Sequence, residues 1–576
     1  MSHASIPNQS QTYLALLFLI MFLSGLVACS AGDNPSPPVA AAPGTPGAEE
    51  DVGERLFLDT RFAQTFKVFM DNGGNVNNPN VDDGVVATIE TLGAPINPGP
   101  FKGMSMNCRT CHLVDDVLSS PGGGMRSYAD FAHRSPIPAR ADGNTHTPRN
   151  SPPLVNSSFS GPGGVLLHHD AEFNSMEDLV AGTYTGRNFG WLPGEKAQAI
   201  AHVAKVVRED DGSFDLTDTG LSYRILFTGA NPDIPEELRL PPQFRANIGS
   251  ATDQEIFDAV VKVVTAYVNG LRFSKSDDNG IPIRSPFDIF LAINGLPQKP
   301  DPNESPLSYS RRLRAFVNAP GFSPQFVTSN PNRPDGRFQF HSQTFEFGAT
   351  ELAGLRMFLS EPTTLPASPA ELTAGKIGNC IACHAAPNFT DFKLHNTGTT
   401  QKEYDGIHGT TAFGALVIPN LVARNGNYDA FLPATENHPN ASERFRSIST
   451  SDATLVDLGV WNIFANPDIP NPQAKIKAIL CDDQVPCALS DSVLLDRAIA
   501  RFRTPGLRDL GHSAPYMHNG QFDTLDNIID FYIEVSGQSR AGTLRNGDIQ
   551  LRGIALNPND VAPLVAFLKS LNEDYQ

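Results

Sequence analysis

A five-residue pattern that occurs twice constrains this chain more than any other feature of its sequence. The pattern is Cys-x-x-Cys-His, and its copies start at Cys108 and Cys380. Two thiols at this spacing can add to the two vinyl groups of a haem, and the adjacent imidazole can then bind the iron. A redox-active cysteine pair or a zinc site is the alternative, but neither needs a histidine directly after the second cysteine. The residues predicted to bind two haem c groups are Cys108, Cys111, His112, Cys380, Cys383 and His384.

The separation of the two copies predicts two domains. In a chain of 576 residues, the motifs lie much further apart than one small cytochrome fold needs. Apolar residues recur at three- and four-residue spacing over residues 253–271, 350–359 and 524–535, and few residues alternate as a long strand does. We therefore predict a mainly α fold with tandem c-type cytochrome domains at 51–300 and 301–576, each around one covalent haem. The 48 glycines and 47 prolines predict long loops and insertions.

The N-terminal segment has the pattern of an export signal. Residues 13–23 form an apolar run that is short for a membrane span, and Leu26–Cys29 resembles a bacterial lipobox. We predict that residues 1–29 are a lipoprotein signal peptide ending at Cys29, which becomes lipidated. The usual lysine or arginine is missing before the apolar run, so a different processing route is the alternative. Residues 30–50, rich in Pro, Ala and Gly, then form a flexible tether at the outer membrane, facing the periplasm.

The net charge bears on the partners of the protein, and the remaining cysteines bear on its disulfides. The formal net charge is -19, which opposes attraction to phosphate backbones, so we predict no nucleic-acid partner. Cys481 and Cys487 flank a polar loop, and an oxidising compartment favours a disulfide between them. A metal site at that loop would need further ligands, which the segment does not offer.

Several other segments resemble landmarks of one family, in the same order along the chain. They are residues 53–59, 148–152 and 285–288 and, after the second motif, residues 504–508, 514–520 and 524–532. The most specific of them contain Thr-Pro-Gly-Leu-Arg and Ala-Pro-Tyr-Met-His-Asn-Gly. On these residues the chain resembles the bacterial di-haem cytochrome c peroxidase and MauG-like family. Insertions at 66–105 and around 300–345 depart from its compact members.

The resemblance also implies what lies opposite the proximal histidine of each haem. In the family, the second haem takes a methionine or a tyrosine from the chain after the Ala-Pro-Tyr segment, and the alignment places Tyr532 there. A phenolate stabilises ferric iron, so Tyr532 favours MauG-like chemistry. Met517 and His518 are the rival ligands, and a packing role is the alternative for Tyr532. Near the first haem neither His133 nor His146 has the family's spacing, so we expect a five-coordinate or water-bound iron.

The family's catalytic residues are only partly matched. Its peroxidases place a glutamate above the first haem as general acid and base, and a tryptophan between the haems. The aligned positions hold Phe189 and His169, with Glu172 and Trp191 nearby in the sequence. The catalytic candidates are therefore Glu172, Phe189 and Trp191, and an ordinary loop carboxylate is the alternative for Glu172. The missing glutamate weakens the case for peroxidase activity of the usual kind.

A calcium ion is also implied by the resemblance. In the family it is held by an asparagine side chain and backbone carbonyls, and the matching positions are Asn150, Ser513 and Pro515. An asparagine that only hydrogen-bonds a turn is the alternative.

The resemblance leaves three functions open. The first is a peroxidase that uses hydrogen peroxide or oxygen at the N-terminal haem, with electrons passing through the C-terminal haem from a small donor protein, a cytochrome c or a cupredoxin. The second is a MauG-like or oxygenase-like enzyme that oxidises an organic or protein substrate. The third is a non-catalytic electron carrier tethered to the membrane through its lipid anchor.

Overall fold

Helices dominate the structure, as the sequence predicts. The computed structural model describes residues 47–77, 107–108, 111–112, 137, 140–144, 147–159, 161, 164–214, 220–272, 284–338, 341–484 and 486–573. These residues contain eighteen α-helices, several short 3₁₀ turns and two strands of two residues each. The mainly α fold is therefore confirmed.

The N-terminal part packs around one 18-residue helix. Its helices are α1 (Ala48–Leu58), α2 (Gln64–Asp71), α3 (Met176–Tyr184), α4 (Lys196–Glu209), α5 (Tyr223–Leu226) and α6 (Asp253–Gly270). Helix α6 begins at a capping box, in which the Thr252 hydroxyl accepts from the Glu255 backbone N–H and the Glu255 carboxylate bonds back to Thr252. Helices α1 and α6 approach closely at Gly53, where a Cβ would lie 2.5 Å from the Val263 carbonyl oxygen. Their apolar faces form the first core.

A second core combines the start and the end of the C-terminal half. The helices of this part are α7 (Pro286–Ile293), α8 (Pro306–Val317), α9 (Ala349–Leu359), α10 (Pro369–Ala374), α17 (Leu525–Ala541) and α18 (Val561–Lys569). Ser285 is the N-cap of helix α7. Its hydroxyl accepts from the Asp288 backbone N–H and donates to the Asp288 carboxylate. Helices α9 and α18 meet at Gly354, where a Cβ would lie 1.9 Å from the Pro563 carbonyl oxygen. Because only glycine fits there, this position fixes how the two helices pack.

The residues between α10 and α17 form a third core around Trp461, which is fully buried. Its helices are α11 (Thr399–His408), α12 (Ala412–Ala415), α13 (Leu421–Gly426), α14 (Tyr428–Phe431), α15 (Gln473–Leu480) and α16 (Asp491–Ala498). The strands β1 (Leu394–His395) and β2 (Phe502–Arg503) pair antiparallel, with Leu394 opposite Arg503. A disulfide joins Cys481 to Cys487 in the loop between α15 and α16, and the Cα atoms of the pair are 5.9 Å apart.

Three helices coincide with the apolar periodicity of the sequence. The segments predicted at 253–271, 350–359 and 524–535 fold as α6, α9 and α17, and α17 continues to Ala541. The first core ends at Leu271 and the second begins at Phe287. The domain boundary at residue 300 stays a prediction.

The N-terminal predictions fall mostly beyond the described part of the chain. The signal peptide and Cys29 lie outside the described residues. Helix α1 begins at Ala48, three residues before the folded body was expected to start at Asp51. No helix in the described part of the chain is long and apolar enough to cross a membrane.

Candidate functional site

The two Cys-x-x-Cys-His motifs fold into the same short turn. In each, the backbone N–H groups of the second cysteine and of the histidine donate to the carbonyl oxygen of the first cysteine. These hydrogen bonds measure 3.2 and 3.0 Å in the first copy and 3.1 and 2.7 Å in the second. All four motif cysteines are free of disulfide bonds. Thiol pairs that are not joined in disulfides, on two such turns, fit the covalent attachment of two haems.

The ring of His384 is oriented as a proximal iron ligand requires. Its Nδ1 donates to the Phe389 carbonyl oxygen at 2.8 Å, because a carbonyl can only accept. With the proton on Nδ1, Nε2 carries the lone pair that binds a metal. Burial lowers the pKa of His384, so the ring is mostly neutral near pH 7.

Two side chains of the first motif, His112 and Cys108, have pKa values that favour their neutral forms. Burial lowers the pKa of His112 to about 4, against an opposing effect of the Pro152 backbone. Burial raises the pKa of the Cys108 thiol, and likewise that of Cys380 in the second motif, to about 12. Cys108 and Cys380 are therefore protonated thiols, the form that adds across a vinyl group, and each lies in a motif with a neutral imidazole.

Tyr532 lies on α17, within electrostatic range of the second motif. Burial raises the pKa of its phenol well above the usual value, and the Cys383 and Cys380 thiols raise it further. Tyr532 packs against a small core that also takes up Met517. The two residues predicted as alternative haem ligands are therefore neighbours of the same core, and Tyr532 interacts with the motif cysteines.

A histidine that sequence reasoning missed lies beside the second motif. His395 is held between two carboxylates, with Nε2 2.7 Å from Asp391 and Nδ1 2.6 Å from Asp548. Burial disfavours its charge, but the Cys383 sulfur and the two carboxylates outweigh burial and raise the pKa of His395 well above its usual value. This edge of the site is therefore polar and hydrogen-bonded.

The carboxylate of Glu172 is bound on both sides. Arg446 donates to it at 2.5 Å, and His168 Nδ1 lies 3.0 Å from it. Burial favours the neutral acid, but Arg446 and His168 outweigh burial and hold the pKa of Glu172 well below its usual range. Glu172 is therefore a carboxylate near neutral pH, and it is half-buried rather than free on a loop.

The other two catalytic candidates belong to the first core. Phe189 is buried, and its ring lies 5.0 Å from that of Tyr184, whose hydroxyl interacts with Cys108. Trp191 is also buried, and its ring lies 5.9 Å from that of His202. Phe189 is thus one ring away from a motif cysteine. His133 and His146 lie outside the described residues.

A buried ion network next to Glu172 has no counterpart in the sequence predictions. Arg149 binds Asp457 through Nε and Nη2, at 2.6 and 2.7 Å, and Asp170 through Nη1, at 2.5 Å. Arg446 lies 3.4 Å from Asp170 as well. The four side chains are buried, and they connect segments up to 308 positions apart in the chain.

Asn150 connects the segment after the first motif to the loop after the second. Its backbone N–H donates to the His518 carbonyl, and its side-chain Nδ2 donates to the Pro515 carbonyl, both at 2.8 Å. Its own carbonyl accepts from His169 Nε2 at 3.1 Å. The ring of His518 stacks on Phe502 at 3.6 Å. We call Asn150, His169, Phe502, Pro515 and His518 the inter-motif joint.

Two of the three residues predicted to hold calcium, Asn150 and Pro515, are in contact at this joint. The side-chain oxygen of Asn150 is buried and has no hydrogen-bond partner among the residues that the structure describes. A buried amide oxygen without a partner fits a cation ligand, and calcium prefers such oxygen ligands. Ser513, two residues before Pro515, is half-buried in the same loop, and its hydroxyl donates to the Asp509 carbonyl at 3.1 Å.

Curated proteins give partial matches to this chain, whereas no family model matches it. The cytochrome-c peroxidase IdrP2 of Denitromonas iodatirespirans is 29% identical over 203 residues, 35% of this chain and 38% of that protein. The cytochrome-c peroxidase IdrP1 of Pseudomonas sp. (strain SCT) is 36% identical over 198 residues, 34% of this chain and 37% of that protein. The methylamine utilization protein MauG of Methylorubrum extorquens is 34% identical over 73 residues, 13% of this chain and 19% of that protein. The chain thus matches less than two fifths of the length of these relatives.

Solved structures align over most of the chain at low identity. A MauG-like protein associated with microbial copper homeostasis aligns with a TM-score of 0.41 and 16% identity, covering 94% of this chain and 93% of that one. The diheme peroxidase BthA from Burkholderia thailandensis aligns with a TM-score of 0.39 and 16% identity, covering 94% of this chain and 89% of that one.

Proposed function

We propose that this chain, a member of the di-haem cytochrome c peroxidase and MauG-like family, uses hydrogen peroxide or oxygen at the haem of its first motif and passes electrons through the haem of its second. The observation that carries the proposal is that the second motif has both His384, with its ring held by Phe389, and the phenol of Tyr532 within electrostatic range of its cysteines. A haem iron bound by one imidazole keeps an axial position at which peroxide or oxygen can react. The first motif offers His112 as that imidazole.

At the second motif, His384 and Tyr532 are the residues that would hold the haem iron. The Nδ1 hydrogen bond to Phe389 fixes the His384 ring with Nε2 available. Tyr532 would bind as a phenolate, because coordination to a cation favours the deprotonated ligand over the neutral phenol that burial alone favours. A phenolate ligand stabilises ferric iron, which supports oxidative chemistry of the MauG type as the second candidate function.

Around the first motif, Glu172 is proposed to accept protons rather than to deliver them. Its pKa is held well below the usual range by Arg446 and His168, against the effect of burial, so it lacks a proton to donate near pH 7. Phe189 and Trp191 fill the core beside the site and exclude water from it.

The inter-motif joint is the proposed route for electrons between the two haems. His169 stands at the position that the family fills with tryptophan. Burial lowers the pKa of His169 to about 3, with Arg149 and Arg503 acting in the same direction, so the ring is neutral. We also propose that calcium binds the Asn150 side chain with the backbone carbonyls of Ser513 and Pro515. Lipidation of Cys29 at the outer membrane stays a proposal that rests on the lipobox pattern.

Steady-state kinetics with hydrogen peroxide and a reduced small cytochrome c test the proposed function. We expect peroxide loss coupled to donor oxidation, with two one-electron donors consumed for each peroxide. Peroxide loss that instead requires an organic or protein substrate supports the MauG-like candidate. If neither coupling exceeds the rate of a c-type cytochrome without peroxidase activity, the chain is an electron carrier and the proposal is wrong.

Replacing Tyr532 tests the ligand assignment. In the ferric protein we expect one high-spin and one low-spin haem, and Tyr532→Phe should change only the low-spin signal because the phenyl ring has no donor oxygen. Cyanide should perturb only the high-spin haem. Met517→Leu is the matched control, since it alters the same small core and removes the rival ligand; electron paramagnetic resonance reads both. A low-spin signal that changes in Met517→Leu and not in Tyr532→Phe would assign the ligand to methionine.

A further inference from the structure

Away from both haem motifs, two histidines and a carboxylate meet in the protein interior. Nε2 of His341 lies 2.8 Å from one oxygen of Asp509, and Nδ1 of His512 lies 2.9 Å from the other. The two imidazole rings stack with their centroids 4.0 Å apart and their planes 17° from parallel. We propose that His341, Asp509 and His512 bind a divalent first-row transition-metal ion, for which Zn²⁺ is the probe.

The chemistry of the three ligands selects this class of ion. Two imidazole nitrogens and one carboxylate oxygen suit zinc and its neighbours, whereas calcium and magnesium favour all-oxygen sites. The three ligand atoms all lie within 4.8 Å of one another. Around a zinc ion with bonds of about 2.0–2.1 Å, neighbouring ligand atoms are about 3.3 Å apart, so small side-chain rotations close the site. The ion would replace the protons that the two rings now direct at Asp509.

Burial makes this cluster unlike a surface group of polar residues. The side chains of His341, His512 and Asp509 are 5%, 7% and 0% exposed. Deeply buried carboxylates are costly unless positive charge compensates them. A divalent ion would supply the positive charge.

Glu573, near the end of the described residues, contacts the cluster through its backbone. Glu573 is buried, and one of its carboxylate oxygens accepts from Arg508 at 2.5 Å. The other oxygen is buried without a hydrogen-bond partner among the described residues. The backbone of Glu573 joins the cluster directly, because its carbonyl oxygen lies 3.2 Å from His341 Nε2 and its N–H donates to Asp509 at 3.4 Å. The backbone of Glu573 thus contacts two of the three proposed ligands, His341 and Asp509.

The local backbone is shaped for this convergence. Asp509 has a φ of +56°, a left-handed conformation that aspartate tolerates better than most residues. Gly511 leaves room for the His341 ring, since a Cβ there would lie 3.0 Å from it. His341 belongs to the insertion around 300–345, so the ion would fasten that insertion to the loop that leads into the inter-motif joint.

Zinc binding to the complete, haem-loaded and tag-free protein tests the proposal. After removal of metals by chelation, equilibrium dialysis should show one Zn²⁺ retained per chain, unaffected by excess Ca²⁺. His341→Ala and His512→Ala should each weaken binding about 100-fold or more. His438→Ala is the matched control, because this histidine also pairs with an aspartate, Asp429, but lies outside the cluster. The Zn²⁺ affinity of His438→Ala should equal that of the parent protein.

Thermal unfolding of the parent protein with and without Zn²⁺ is a second test, and this comparison requires no variant. Zn²⁺ should raise the melting temperature of the parent by several degrees, because it binds the folded state only. His512→Gln, a milder change, should abolish that rise while both haems stay attached. Retention of no zinc by the parent, or equal retention by His341→Ala, would leave the cluster as a hydrogen-bonded group without a metal and overturn the proposal.

Discussion

Cys380→Ala combined with Cys383→Ala is expected to leave one covalent haem per chain instead of two. Each motif attaches its haem through its own thiols, so losing both thiols of one motif removes one haem and spares the other. The mass of the denatured protein measures that loss directly. Donor-supported peroxide consumption should fall about a hundredfold or more, because in the proposed function electrons reach the first haem through the second.

The disulfide cysteines provide a matched control for this experiment. Cys481→Ala with Cys487→Ala also removes two cysteines from the C-terminal half, yet it should keep both haems. Cys108→Ala with Cys111→Ala should give the complementary product, with only the second haem attached. A Cys380 and Cys383 double variant that still carries two covalent haems would contradict the assignment of the motifs.

Arg149→Leu is expected to destabilise the folded protein by about 3–5 kcal/mol. The guanidinium compensates Asp170 and Asp457, both buried, and leucine would leave their charges without this partner. The direction of the pKa shift of Arg149 agrees with this expected destabilisation. Burial opposes the charge of Arg149, but the two aspartates outweigh burial and raise its pKa above the ordinary value. The urea midpoint of the haem-loaded protein measures the loss.

A surface arginine separates this effect from the general cost of removing an arginine. Arg311 pairs with Glu361 at 2.7 Å, but its side chain is 54% exposed. Exposed pairs contribute about 0–1 kcal/mol, so Arg311→Leu should shift the midpoint little. Equal shifts in the two variants would show that the buried network around Arg149 does not stabilise the fold.

The residues proposed to bind haem could be identified in the sequence because their chemistry is local. Two thiols and an imidazole within five consecutive residues are brought together by one backbone turn, whatever the rest of the chain does. Helices α6, α9 and α17 could be predicted for a similar reason, since their apolar spacing is a property of short segments.

The charged clusters could not be predicted, because their members come from distant segments. In the sequence, Glu172 resembles an ordinary loop carboxylate. In the structure, Arg446, 274 positions later in the chain, donates to it. His341 is likewise distant in the sequence from Asp509 and His512, which share one turn. The spacing of residues in the sequence does not show which loops contact each other in the folded protein. These charged side chains are buried by such contacts.

The inter-motif joint offers a physical connection through which equilibria at the two motifs can be coupled. Asn150 hydrogen-bonds to Pro515, His518 and His169, so the segments that follow the two motifs cannot shift independently. Any ligand or oxidation change at one motif that moves this joint alters the corresponding equilibrium at the other. Linkage requires the reverse effect to be equally large in free energy. In that case, affinities measured at one haem would depend on the state in which the other is held.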